Sequence, residues 1–222
     1  MNPLFQQPLQ VISLGLAGFS DNLRAAGGKV LHLNWKPAAE GDSAANWLLA
    51  NLFNDPRIEA ANRQALQHLL DAQPVLVDVM AASEALPAMG GGQRLILHAG
   101  PPIPWGDMCG PMQGAIAGAI LLEGWASDIE AAAAMAQGGE VVLQPGHHHS
   151  AVGPMAGIIS PSMPLWVVEN RANGNRAFSN FNEGLGKVLR FGANGDEVLT
   201  RLRWMRDVLA PTVRQALRSA AM

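Results

Sequence analysis

The sequence predicts an α/β chain of the more complex, α+β kind. An N-terminal βαβ-containing unit occupies residues 1–100, and a second mixed α/β unit with C-terminal helices occupies residues 101–222. Three observations carry this reading. Apolar, β-branched runs bounded by Gly and Pro recur along the chain (LQVISLG, PVLVDVM, RLILHAG, PLWVVE) and read as buried strands. Stretches of helical length with recognisable caps lie between them. The hydrophobic fraction, 49% over 222 residues, supplies a core and excludes a disordered chain.

In chain order, Leu9 to Gly15 is a strand, Ala17 to Ala26 a short helix stopped by Gly27 and Gly28, and Lys29 to Trp35 a second strand. The turn offers Gly15 and Gly18 without a third glycine, and no acidic residue closes the second strand, so NAD binding is rejected there. Asp42 or Ser43 caps a helix through Phe53, and Asp55-Pro56 opens another to about Asp71. Strands follow at Pro74–Met80 and Arg94–Gly100. Pro101-Pro102-Ile103-Pro104 forces an extended connection, which places the boundary between units near residue 100.

Beyond it, a helix from about Cys109 to Ala126 carries Gly114-x-x-x-Gly118, a spacing that permits close packing. Ser127-Asp128-Ile129-Glu130 is a capping box for an alanine-rich helix that stops at Gly138-Gly139. Glu140–Leu143 is a strand, Gly146–Met163 a loop rich in Gly, Pro and Ser, and Pro164–Glu169 another strand. Asp196 caps a helix to Leu209, and Pro211 sits in the first turn of the last helix.

Charge excludes some functions. A formal net charge of -3 does not suit a protein that coats nucleic acid or an anionic membrane. Cys109 is the sole cysteine, so no internal disulfide forms, and no signal-peptide pattern or membrane-length apolar run appears; a cytoplasmic protein is expected. Six Lys or Arg face fourteen Asp or Glu up to Asn170, against nine and four afterwards. No Lys or Arg lies between Arg94 and Arg171, so this stretch is either packed interior or a surface covered by a partner. The second alternative predicts an oligomer with the Gly114–Leu122 helix as its contact.

Gly146-His147-His148-His149-Ser150 is the most unusual run. On an extended segment only His147 and His149 share a face, and no nearby Cys, Asp or H-E-x-x-H pattern completes a metal set, so no metal and no cofactor is expected. The alternative is a tight loop whose imidazoles are satisfied by backbone partners. Asn170 ends a buried strand, where open α/β sheets place ligand groups. Arg176, Asn182, Lys187 and Arg190 stand among glycines that let backbone N–H groups approach an anion, phosphate or carboxylate. Gly186-Lys187 is followed by Val188, so this is not a Walker A loop, and a solvated glycine-rich hairpin is the alternative. No Gly-x-Ser-x-Gly elbow supports a serine hydrolase, and Cys109 reads as a small side chain among apolar neighbours.

The runs LHAGPPI (97–103), MCGPM (108–112), HHHSAVGPMAG (147–157) and NEGLGKVLRFG (182–192) resemble, in order, the YlbE-like family. Proteins of that family accompany FdrA-type proteins, and one member is similar to the AllG subunit of oxamate carbamoyltransferase. The resemblance implies carbamoyl transfer between oxalurate and phosphate in allantoin breakdown, giving oxamate and carbamoyl phosphate. It also implies a complex with an FdrA-like subunit and a third subunit, and a natural chain that extends past the position of Met222. Such chemistry needs an anion clamp, for which Arg176, Lys187 and Arg190 are suited. It also needs a group to polarise the carbonyl or act as general acid, His147 or His149, with Asn170 and Asn182 as further donors. The competing readings are a non-catalytic structural or regulatory subunit that binds the FdrA-like partner, and a metal-dependent amidohydrolase using the three histidines.

Overall fold

A computed structural model, which describes residues 10–153, 155 and 157–220, opens with the expected βαβ element. Strands β1 (Gln10–Leu14) and β2 (Lys29–Leu33) pair in parallel from Gln10↔Lys29 to Leu14↔Leu33, with helix α1 (Ala17–Ala25) between them. Leu9, expected to start the first strand, lies outside the described residues. Ser20 on α1 places its hydroxyl 2.8 Å from Nδ1 of His32 on β2. Asp42, of the two possible caps, accepts the Ala45 N–H at 2.8 Å and starts α2 (Ser43–Phe53). Pro56 begins α3 (Pro56–Leu70), preceded by Asp55, whose carboxyl is held below its usual range by the Arg57 side chain and then by the Arg57 N–H. These residues belong to a first compact unit, Met1–Leu69, in which Ser20 is the only buried residue among those described. Ile12, Leu14, Leu31, Leu33 and Trp35 stay exposed.

The second unit, Leu70–Met222, contains two sheets. In one, β3 (Pro74–Ala81) runs antiparallel to β8 (Pro164–Asn170), β8 antiparallel to β9 (Asn175–Asn180), and β6 (Ala151–Val152) parallel to β9. In the other, β4 (Leu95–His98) lies between β5 (Val142–Pro145), parallel to it, and β7 (Ile158–Ile159), antiparallel. Strands β3 and β4 thus bond to partners beyond residue 140. The chain divides at Leu69/Leu70, whereas the expected boundary near residue 100 grouped both strands with the N-terminal unit.

The stretch without cations is interior in part. After the short α4 (Ala82–Ala85), helix α5 (Gly110–Leu122) buries Met112, every residue from Ala115 to Ile120, and Leu122 inside the chain's own second unit. The expectation that this helix forms an oligomer contact is therefore corrected: its sequence has no polar face because neighbours surround it. Gly114 and Gly118 do serve close approach, but to the 189–194 segment, with Asn194 Nδ2 donating to the Gly114 carbonyl at 3.1 Å.

Local expectations shift by a residue or two. Helix α6 (Ile129–Gln137) is capped by Asp128, which accepts the Ala131 N–H at 2.8 Å, while Ser127 donates its hydroxyl to the same carboxylate. The second hairpin strand β9 was not expected, and residues 146–163 are not structureless but hold a 3-10 turn, β6 and β7. Helix α7 (Asp196–Trp204) has Gly195 as its cap, with Asp196 already in the first turn. A π-helical stretch, Met205–Leu209, joins it to α8 (Ala210–Ala220). Pro211 explains the widening: it has no N–H to donate and its ring crowds the carbonyl one turn earlier. Arg214 on α8 reaches back to β3, its Nε and Nη2 donating to the Asp78 carboxylate at 3.0 and 3.1 Å.

Candidate functional site

Strands β4 and β5 are parallel and end side by side, with His98 opposite Pro145 in the register. Just past these ends a cavity of ≈ 180 Å³ opens, lined by Leu97, His98, Gly100, Gly146, His147 and Ala151, among others. The carboxyl ends of parallel strands are where α/β sheets take ligands, because the loops diverge there and leave a crevice. Gly146 is required for the geometry: a β-carbon on it would lie 2.8 Å from the Ala151 carbonyl oxygen. The turn closes through Ser150, a non-glycine residue in the left-handed region (φ 53), whose carbonyl accepts the Phe178 N–H at 2.9 Å. Such strain persists only where the surroundings hold it in place.

The three histidines occupy a 3-10 turn, Gly146–His149, rather than an extended segment. Successive side chains on such a turn point about 120° apart, so the expectation that His147 and His149 share a face does not hold. His147 lines the cavity and packs edge-on against His148, ring centroids 4.6 Å apart. His149 turns to β5, its Nε2 2.7 Å from Oε1 of Gln144. Burial, and then the neighbouring His148, hold the His149 ring below its ordinary value. Among the described residues no three His, Cys, Asp or Glu side chains come together as a metal ligand set.

The expected anion-binding residues are spread over two places. Asn170 and Arg176 lie at the turn end of the β8–β9 hairpin. Asn170 Oδ1 accepts the N–H of Gln73 at 2.9 Å, and Arg176 pairs with Glu169, directly opposite it in the register, at 2.9 Å. Asn182, Lys187 and Arg190 belong to the 182–192 loop, where Asn182 and Lys187 are exposed. Glu183 organises that loop, its carboxylate accepting the Leu189 N–H at 3.0 Å. Burial raises the Glu183 carboxyl above its ordinary value, with the Leu189 and Arg190 N–H groups and the charges of Arg201 and Arg190 opposing the shift. Arg190 donates to the Gly184 carbonyl and lies over the Phe191 ring, 4.9 Å from its centroid.

Arg190 also lines a second, smaller cavity of ≈ 30 Å³ with Asn180, Glu183 and Arg206. There Arg190 Nε and Asn180 Oδ1 are buried without hydrogen-bond partners among the described residues. That space suits a guest the size of a water molecule, not a phosphate. His147 and Arg190 therefore line different cavities.

His98 stands in the LHAGPPI run, to which the sequence reading gives no site role. It is 2% exposed, and it is the polar residue that ends the fully buried strand LILH. A histidine closing an otherwise apolar run, just before Gly100 and the prolines, was the available signal.

Fold and cavity together define a class: a mixed α/β protein with a histidine-bearing crevice at the carboxyl ends of parallel strands. The comparisons narrow it. Residues 141–222 match the family described as oxamate carbamoyltransferase subunit AllG. The chain is 52% identical over 160 residues to the oxamate carbamoyltransferase subunit AllG of Escherichia coli (strain K12), covering 72% of this chain and 38% of that protein. It is 44% identical over 218 residues to the uncharacterized protein YahG of the same organism, covering 97% of this chain and 46% of that protein. A crystal structure of a conserved protein of unknown function from Enterococcus faecalis V583 superimposes with a TM-score of 0.70 at 44% identity, over 74% of this chain and 39% of that one. The chain is thus similar to these two Escherichia coli relatives over most of its own length. The chain spans less than half the length of the curated relatives it matches. Among the described residues no helix is long and apolar enough to cross a membrane.

Proposed function

We propose that the chain acts as a subunit of an oxamate carbamoyltransferase-like complex, moving a carbamoyl group between oxalurate and phosphate in allantoin and purine nitrogen breakdown. One observation carries the reading: the AllG match over residues 141–222 takes in the 146–153 wall of the histidine-bearing cavity. A phosphate oxygen attacks the ureido carbonyl, the bond from that carbon to the inner nitrogen breaks, and the nitrogen takes a proton, leaving oxamate and carbamoyl phosphate. In this reading His147, which lines the cavity, polarises the carbonyl or supplies that proton. His149 is bonded to Gln144 and serves to hold the turn.

A complex of the chain with an FdrA-like subunit and a third subunit, given oxalurate and phosphate, should form carbamoyl phosphate. His147→Ala should lower turnover by about 10²–10⁴-fold, the usual worth of a positioned acid or base. An active complex indifferent to that change moves the acid elsewhere, and an inactive complex with all three subunits present rejects the reading.

A second reading, a non-catalytic subunit that binds the FdrA-like partner, is favoured by the placement of the cations. Arg176 is paired with Glu169 and Arg190 lines the smaller cavity, so the phosphate-binding groups would come from another polypeptide. Arg190→Ala and Lys187→Ala then leave phosphate dependence unchanged, whereas a clamp built from them loses affinity by about 1.5–3 kcal/mol per contact.

A further inference from the structure

Helix α2 has the composition of a buried helix. Its eleven residues, SAANWLLANLF, include no Asp, Glu, Lys or Arg, and neither do the thirteen of α5. A helix with no charged face belongs in an interior. Helix α5 is buried accordingly, whereas α2 buries no residue at all among those described. Trp47, Leu48 and Leu52 fall within an arc of about 140° of the helix surface and are 67%, 58% and 53% exposed.

The β1–β2 pair leaves open a surface of the matching kind. Alternate side chains of a strand share a side, so Ile12 and Leu14 stand beside their register partners Leu31 and Leu33. The opposite side, with Val11, Ser13, Val30 and His32, is half-buried, and Ser20 of α1 bonds His32 there. The aliphatic side stays open, from 42% exposed at Leu33 to 68% at Ile12. Parallel strands normally have both faces covered. Strands of five residues and a helix of eleven also agree in length, at about 16–17 Å each.

Three properties of the chain select what covers these faces. The helix face and the sheet face are both apolar, both open and both present in every copy, so a two-fold exchange fills each with the other. Residues 1–69 hold five Lys or Arg and five Asp or Glu, and four of those cations pair with a carboxylate within four residues in sequence. No net field then selects an oppositely charged partner, and a copy meets no repulsion. At about 200 Å² for a large apolar side chain, the seven residues expose roughly 800 Å², and ~800 Å² is what each partner buries in a standard specific interface.

We infer that the occupant is a second copy of the chain: α2 of each copy lies on the Ile12, Leu14, Leu31 and Leu33 face of the other, across a two-fold axis. The two contacts are equivalent, and each combines the sheet face of one copy with the helix face of the other. The inference is independent of the carbamoyl-transfer reading.

Light scattering on the full 222-residue chain should give twice the mass of one chain. Leu31→Glu and Leu48→Lys should each raise the dimer dissociation constant about tenfold or more, because both contacts of such a dimer then carry a charge in an apolar seam. An equimolar mixture of the two variants should dimerise more tightly than either alone, since one contact of the mixed dimer gathers both substitutions and the other keeps the native pair. Dimers joined helix to helix and sheet to sheet lack this rescue, because each contact of the mixture still holds one charge. Should either variant not fold, Leu31→Cys and Leu48→Cys decide, each in a Cys109→Ser background that removes the sole cysteine. A short bismaleimide should then link the mixture and neither variant alone. A single-chain mass at up to about 100 μM means that something other than a copy covers the two faces, and overturns the inference. Charged variants that dimerise as tightly as wild type overturn it too, as does a mixture without rescue, or without cross-links where these decide.

Discussion

A β-carbon on Gly114 would stand 2.5 Å from the carbonyl oxygen of Gly192. Helix α5 and the 189–194 segment meet backbone to backbone there, and Gly192 itself adopts φ 87 against Pro111. Gly114→Ala should therefore cost about 1–3 kcal/mol, because the obstacle is main chain that cannot step aside. Gly110→Ala, four residues earlier with nothing within 4 Å, should be neutral or stabilise by about 0.4–1 kcal/mol. Urea unfolding of both variants separates close packing from a general intolerance of α5 to substitution.

What the sequence made legible was local. Asp42 and Pro56 mark their helices because a cap is a bond between a residue and its near neighbours. Strand β9 was missed because NRAFSN has no apolar run; pairing with β8 on one side and β6 on the other makes it a strand. The proline run after residue 100 is the conspicuous break in the sequence, whereas contacts group the chain as Met1–Leu69 and Leu70–Met222, because the partners of β3 and β4 lie beyond residue 140. At the site, His147 was visible as one of an odd triplet. The 3-10 turn that separates it from His149 was not, since three equal side chains carry no sign of backbone curvature.

Ala117 lies in the Gly114–Leu122 helix that the sequence predicts as an oligomer contact, and its burial reverses what a charge there should do. As an interface residue, Ala117→Glu would loosen assembly and leave the fold intact; at 4% exposure inside α5 it should instead unfold the second unit. An unpaired carboxylate in such surroundings costs several kcal/mol, a large share of a domain's total stability. Ala134→Glu, exposed on α6, should shift stability by no more than about 0.5 kcal/mol. Circular dichroism melts should show a lost or sharply lowered transition for the first and a near wild-type one for the second; a folded, cooperative Ala117→Glu protein would return α5 to the surface.

Glu123, just past the end of α5, gathers the 160–162 turn with one oxygen. Its Oε1 accepts from Ser160 Oγ at 2.5 Å, Ser162 N at 2.9 Å and Ser162 Oγ at 2.8 Å. Ser160 is fully buried, so Glu123→Ala strands its hydroxyl and should cost about 1–3 kcal/mol. Glu123→Gln keeps one acceptor oxygen, and its loss should be the smaller of the two. If both variants unfold at the same denaturant concentration as wild type, the turn is held by other contacts.

His149 sets a pH dependence whose sign follows from its surroundings. Its ring is held below the ordinary imidazole value of 6.5, by burial first and by His148 second, and the neutral Nε2–H donates to Gln144. Between the lowered native value and 6.5 the unfolded chain therefore binds more protons than the native one, and stability rises with pH across that window. The contribution is fully present above 6.5 and is lost as pH falls toward the native value. Glu183 acts with the opposite sign in a lower window: its raised carboxyl makes the native state the better proton binder above the ordinary value of 4.5, so stability falls there as pH rises. Comparing each protein with its own variant separates the two. From about pH 7.5 down to about pH 5.5, His149→Gln should lose less unfolding free energy than wild type. Glu183→Gln should flatten only the part nearer the carboxylate range. A wild type that loses no more than His149→Gln on acidification would mean that His149 is as easily protonated in the folded chain as in the unfolded one, and that its contact with Gln144 holds no proton in place.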